Sequence, residues 1–137
     1  MSEINVRLEG GDRYRIHIRG HELAVDQPVA DGGGDSAPTP TELFVAGLAS
    51  CVAFYGGRYL VRHGLPAEGF GVDCSFAFAK DRPARVASIE IAVTLPEAFP
   101  LERREALLAV VEHCTVHNSI VRKPDIRIAL ARERRAA

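Results

Sequence analysis

Apolar and polar positions alternate with a period of two over the first part of the chain. "INVRLEG" places Ile4, Val6 and Leu8 on one side, and "RYRIHIRG" does the same with Tyr14, Ile16 and Ile18. Each pattern predicts a half-buried strand, and Gly10-Gly11 between them signals a hairpin. A third short strand, "ELAVD", follows Gly20. "QPVADGGGDSAPTP" is then a Gly-, Pro- and Asp-rich loop, long for so small a protein. At Thr39 the pattern changes to that of a helix. Thr39 suits the N-cap, Pro40 suits the first helical position, and Glu42 lies three residues on, which makes a capping box. This helix runs to about His63 and stops at Gly64, the favoured residue just past a helix end. Beyond it, "FGVDCSFAFAK" alternates Phe70, Val72, Cys74, Phe76 and Phe78, and "VASIEIAVTL" puts Ile89, Ile91 and Val93 on one face. These predict two longer strands joined across Asp81-Arg82-Pro83. Pro100 opens a second helix, "LERREALLAVVEHCTVHN", with Leu107, Val110, Val111 and Cys114 as its apolar stripe. "DIRIALA" reads as a closing strand. The predicted order is β-β-β-α-β-β-α-β, an α+β fold with a mainly antiparallel sheet, as one domain over residues 1–137.

The long helix breaks the usual amphipathic rule. Residues 43–57 contain no charge at all, so the helix has no face made for water. One sheet covers one side of a helix. A second copy of the protein is the most economical cover for the rest, and this predicts an obligate homodimer whose long helices share a core. Ala46, Gly47, Ala49, Ser50, Gly56 and Gly57 permit close approach. The alternative is that the second helix and the long loop cover the run within a monomer.

Composition narrows the function. With 137 residues the chain can build a real but modest core. A net charge of −1 leaves no electrostatic case for nucleic acid or an acidic membrane surface. The basic tail "RERRAA" reads as a frayed end rather than a binding arm. The N-terminus has acidic residues and no apolar stretch, unlike a signal peptide, and the uncharged run of about 15 residues is short for a bilayer. With three cysteines and no export signal, reduced thiols in the cytoplasm are expected, so that any disulfide is transient and catalytic.

The cysteines differ. Cys74 is in register with Val72 and Phe76, so it is expected to face the core as a small hydrophobe. Cys51 has Gly47, Leu48 and Tyr55 as helical neighbours. Burial alone makes a thiol inert, and at about three turns from Thr39 the helix dipole gives no help. A structural role for Cys51 is open on this pattern, and a reactive Cys51 needs a cation from another segment or a partner chain. Cys114 is expected near the end of the second helix, where the dipole disfavours a thiolate, so it suits a resolving thiol better than a first nucleophile. His113 and His117 share a face, but Cys114 is rotated by roughly 100° from His113 and no fourth ligand is evident, so no metal is expected.

"GGGDSAPTPTELFVAGLASC", followed 63 residues after Cys51 by "EHCTVHNSIV", resembles the OsmC/Ohr superfamily of osmotically induced and organic-hydroperoxide-resistance proteins. The likeness covers nearly the whole chain. It implies an intertwined α+β homodimer with two active sites at its interface. It also implies a thiol peroxidase without a cofactor. In such a protein the cysteine matching Cys51 attacks an organic hydroperoxide and becomes a sulfenic acid, and the one matching Cys114 condenses with it to a disulfide. An external dithiol, often a lipoylated protein, then reduces that disulfide. A hydrophobic pocket for the organic group and two Cα atoms roughly 4.4–6.8 Å apart are required. The pattern also departs from the hydroperoxide-resistance branch. There a carboxylate follows the helix-start proline and pairs with an upstream arginine. Here Thr41 follows Pro40, and Glu42 comes one step later, turned by about 100°, so Glu42 is expected to serve the capping box. Arg13, Arg15 and Arg19 are the upstream arginines, and Glu42, Arg13 and Arg19 are taken as supporting candidates. "CTVHNS" replaces a Cys-Pro context. These departures keep a non-catalytic small-molecule-binding or redox-sensing protein as the alternative.

Overall fold

Three antiparallel strands, β1 (Ile4–Gly10), β2 (Arg13–Ile18) and β3 (His21–Val25), form the first sheet in the order β1-β2-β3 in a computed structural model that describes residues 3–131. The register sets Ile4 opposite Ile18, Val6 opposite Ile16 and Leu8 opposite Tyr14, and continues Ile16 to Leu23 and Tyr14 to Val25. Directly opposed side chains share a face, so one face is apolar apart from His21, which stands opposite Ile18 at its end. The other face is laced with ion pairs: Arg13–Glu9 at 3.0 Å, Arg15–Glu9 at 2.8 Å and Arg15–Glu22 at 2.7 Å. The alternation in the sequence predicted both faces.

The long helix α1 spans Pro40–Arg62. Its predicted capping box is complete, with Glu42 N–H donating to Thr39 Oγ1 at 3.1 Å and Thr39 N–H donating to Glu42 Oε1 at 2.8 Å. It ends at His63, and Gly64 takes the left-handed conformation at φ 64°. By length and composition alone this helix could cross a bilayer, so the uncharged run does not by itself exclude a membrane span. Its buried residues Val45, Leu48, Val52, Gly56, Tyr59 and Leu60 instead follow one stripe turned into the fold.

Strands β4 (Gly71–Phe78) and β5 (Val86–Thr94) make a second, separate antiparallel sheet, with Cys74 opposite Ile91 and Phe76 opposite Ile89. Val72, Ile89, Ile91 and Val93 pack on a core of Leu48, Val52, Tyr59, Leu60, Phe99, Leu107, Val111 and Cys114. Phe70 lies so close to Gly56 that a Cβ there would sit 2.6 Å from its ring, which explains glycine inside a helix at that position.

Three expectations need correction. The second helix is two helices, α2 (Arg104–Val111) and α3 (Thr115–Val121), preceded by a 3-10 turn at Leu101–Arg103. The expected strand at 125–131 is not paired: Ile128 and Leu130 are 93% and 104% exposed. A strand exists only through its ladder, and among the described residues this segment has no neighbour to hydrogen-bond. Cys74 is exposed rather than buried. It shares a face with Val72 and Phe76, as its register predicted, but lies beyond what the rest of the chain covers. The basic tail at 132–137 lies outside the described residues.

Candidate functional site

Cys51 is half-buried on α1 and packs against the core that contains Cys114, which is fully buried. The two side chains come together despite the 63 residues between them: Cys51 packs against the cluster that holds Cys114, and the thiols are near enough for one to act on the other. Burial pushes the Cys114 thiol up from its ordinary value, and the Cys51 thiol adds to the rise, while the His117 N–H pulls the other way. A protonated Cys114 beside Cys51 follows at neutral pH.

The position of Cys114 depends on the break between α2 and α3. Helix ends leave carbonyls without partners, and glycine or proline often resolves them. Here side chains do so. His113 Nδ1–H donates to Ala109 O at 2.7 Å, His117 Nδ1–H donates to Glu112 O, and Asn118 Nδ2 donates to His113 O at 3.1 Å. The chain then restarts with Cys114 as the N-cap of α3, extended at φ −68° and ψ 156°, its sulfur accepting from His117 N–H at 3.4 Å. The helix-dipole expectation for Cys114 therefore reverses, because the residue begins a helix instead of ending one. The net rise at Cys114 comes from burial.

The supporting residues are placed elsewhere. The carboxylate of Glu42 is engaged in the capping box. Arg13 holds Glu9 and donates to Ser36 Oγ at 2.8 Å. Arg19 occupies the β2–β3 turn with φ 55°. Among the described residues no arginine, lysine or histidine hydrogen-bonds the Cys51 sulfur, and no ion pair joins Glu42 to Arg13 or Arg19. On α1, Arg58 lies over the Phe54 ring, 4.8 Å from its centroid. A cleft of about 700 Å³ lies between β5 and α2, lined by Ile91, Val93, Leu101, Leu107 and Leu108, and neither Cys51 nor Cys114 borders it.

The sequence placed Tyr55 beside Cys51 without giving it a partner, and Thr115 was passed over. Tyr55 Oη and Thr115 Oγ1 are 2.7 Å apart, tying α1 to the start of α3. The available signal was adjacency: Tyr55 is one turn after Cys51, and Thr115 follows Cys114.

The family model described as OsmC-like protein matches residues 32–129. The chain belongs to the OsmC-like family. No curated protein matches it in sequence, but solved structures do in fold. A candidate osmotic stress induced and detoxification response protein from Psychrobacter arcticus is 25% identical, with a TM-score of 0.78 over 87% of this chain and 88% of that one. An organic hydroperoxide resistance protein OsmC from Legionella pneumophila is 18% identical at TM-score 0.64, covering 88% of each chain. The organic hydroperoxide resistance protein OhrB of Bacillus subtilis is 17% identical at TM-score 0.58, over 87% of this chain and 89% of that one. This OsmC-like protein therefore has the α+β fold that the resemblance implied, with two antiparallel sheets and three helices.

Proposed function

We propose that this OsmC-like protein is a cysteine-dependent peroxidase that reduces organic hydroperoxides as a cytoplasmic homodimer. The observation that carries the reading is the proximity of Cys51 to Cys114 in one packed cluster. The names of the Legionella and Bacillus relatives point the same way. In the proposed cycle the Cys51 thiolate attacks the terminal oxygen of the hydroperoxide. An S–O bond forms, the O–O bond breaks, and the alkoxide leaves as the alcohol after taking a proton. Cys114 then gives up its proton and attacks the sulfenic sulfur; the S–S bond forms and the oxygen leaves as water. A dithiol such as a lipoylated protein restores both thiols by two exchanges and is itself oxidised to its disulfide. The raised Cys114 thiol stays protonated while Cys51 reacts, which keeps the two roles apart.

The homodimer is part of this reading. Of the apolar face of β1–β3 only Val25 is buried, and no residue of that face joins the cluster around Cys114. The outer face of α1 carries Phe44, Gly47, Cys51, Phe54 and Val61 at alternating spacings of three and four apart from the step to Val61, with Phe44, Phe54 and Val61 exposed. Such a stripe suits packing on another helix. The cation that ionises Cys51, and the pocket for the organic group, are then supplied across that interface. A redox-sensing or small-molecule-binding role is the second reading, favoured by the engagement of Glu42 in the capping box.

Reduced protein mixed with excess cumene hydroperoxide is expected to lose the thiols of Cys51 and Cys114. The Cys51→Ser protein loses peroxide consumption altogether, and Cys114→Ser accumulates a dimedone-reactive sulfenic acid. Turnover with dihydrolipoamide separates an enzyme from a sensor. Persistence of all three thiols after prolonged exposure overturns the peroxidase.

A further inference from the structure

We propose that Tyr55 is a positioning residue for the thiol pair, its hydroxyl holding Thr115 and thereby Cys114 against Cys51. The proposal rests on the reading of Cys51 and Cys114 as reacting partners. Tyr55 lies four residues after Cys51, so both side chains leave the same face of α1. Its ring is half-buried and meets Phe54 edge-on at a centroid distance of 5.6 Å, and this packing aims the hydroxyl. The hydroxyl reaches Thr115 Oγ1 at 2.7 Å. Among the described residues this is the sole side-chain hydrogen bond between α1 and α3.

Thr115 is the residue next to Cys114 and the first of α3. Cys114 itself belongs to neither helix, and a seven-residue helix is too short to hold its own place by propensity. Its location relative to Cys51 therefore depends on tertiary contacts. Apolar packing supplies contact without direction, whereas a hydrogen bond fixes distance and angle. Disulfide formation is demanding in both respects. Thr115 is exposed, so burial creates no need for its hydroxyl to find a protein partner, and a phenylalanine in place of Tyr55 would pack as well.

The test uses the full-length protein carrying Cys74→Ser, equilibrated in mixtures of reduced and oxidised glutathione without peroxide. Each Cys51–Cys114 disulfide formed passes two electrons and two protons to one glutathione disulfide, giving two glutathione thiols. Intact mass and peptide mapping then give the effective concentration of the thiol pair. Tyr55→Phe and Thr115→Val are each expected to lower it about fivefold, the equivalent of one hydrogen bond's net contribution. The double variant should fall no further, because the two hydroxyls act as one unit. Thr115→Ser should retain the parent value. Unchanged values in Tyr55→Phe and Thr115→Val, with a disulfide in the parent, overturn the role of Tyr55 alone. Failure of the parent to form the disulfide overturns the thiol pairing and this proposal with it.

Discussion

Asp26 is 3% exposed yet keeps its charge, because its carboxylate accepts the Ser36 hydroxyl at 2.5 Å and the N–H groups of Gln27, Ser36 and Gly34 at 2.7, 3.1 and 3.4 Å. The Ser36 hydroxyl, then the Gln27 N–H, lower its pKa from 3.8 to about 2. Ser36 Oγ in turn accepts from Arg13, so the first sheet and the long loop are fastened together at one carboxylate. Gly33 belongs to the same clasp, since a Cβ there would collide with Gln27 O. A depressed folded pKa stabilises the fold fully above the unfolded value, and that contribution disappears as pH falls through the folded one. Asp26→Asn should therefore unfold at lower urea than the parent at pH 7. The gap should narrow below about pH 3.8 and close near pH 2, as denaturation curves at several pH values will show. Arg13, an upstream arginine singled out from the sequence, is at a residue's scale a part of this clasp.

At the scale of elements, α1 was legible and the helix after Pro100 was not. Thr39, Pro40, Glu42 and Gly64 are start and stop signals that act through neighbouring backbone groups, and both hydrogen bonds of the capping box form as expected. Thr39→Ala should cost about 1 kcal/mol, seen as a lower urea midpoint with an unchanged slope. The break at 112–114 carries neither glycine nor proline. Its signals are His113, His117 and Asn118, residue types with many other uses, and they become caps only because their rings and amide reach Ala109, Glu112 and His113 carbonyls in three dimensions. Reading through the break misplaced Cys114 at a helix end.

For the whole molecule, the uncovered apolar surface sets the expectation. Val6 is 49% exposed and stands among Ile4, Leu8, Ile16 and Leu23 on one sheet face, and the unpaired 125–131 segment adds Ile126, Ile128 and Leu130. A contiguous face of this kind marks an interface. The full chain should sediment as a dimer, and Val6→Asp, which puts a charge in that face, should yield monomer at micromolar concentration. A monomeric parent chain would remove the dimer from the proposed function.

Strand alternation, the turn residues and the caps of α1 depend on near neighbours, and the order of residues alone determined them. So did the faces of β1–β5, since a period of two assigns each side chain to a side whatever covers it. The second sheet's separation from the first, the split into α2 and α3, the exposure of Cys74 and the pairing of Tyr55 with Thr115 were decided only by the tertiary structure. Apart from the split, whose caps lie within five residues of the groups they satisfy, each depends on which distant segment arrives, and a sequence lists the groups that can bond without fixing which of them come within reach.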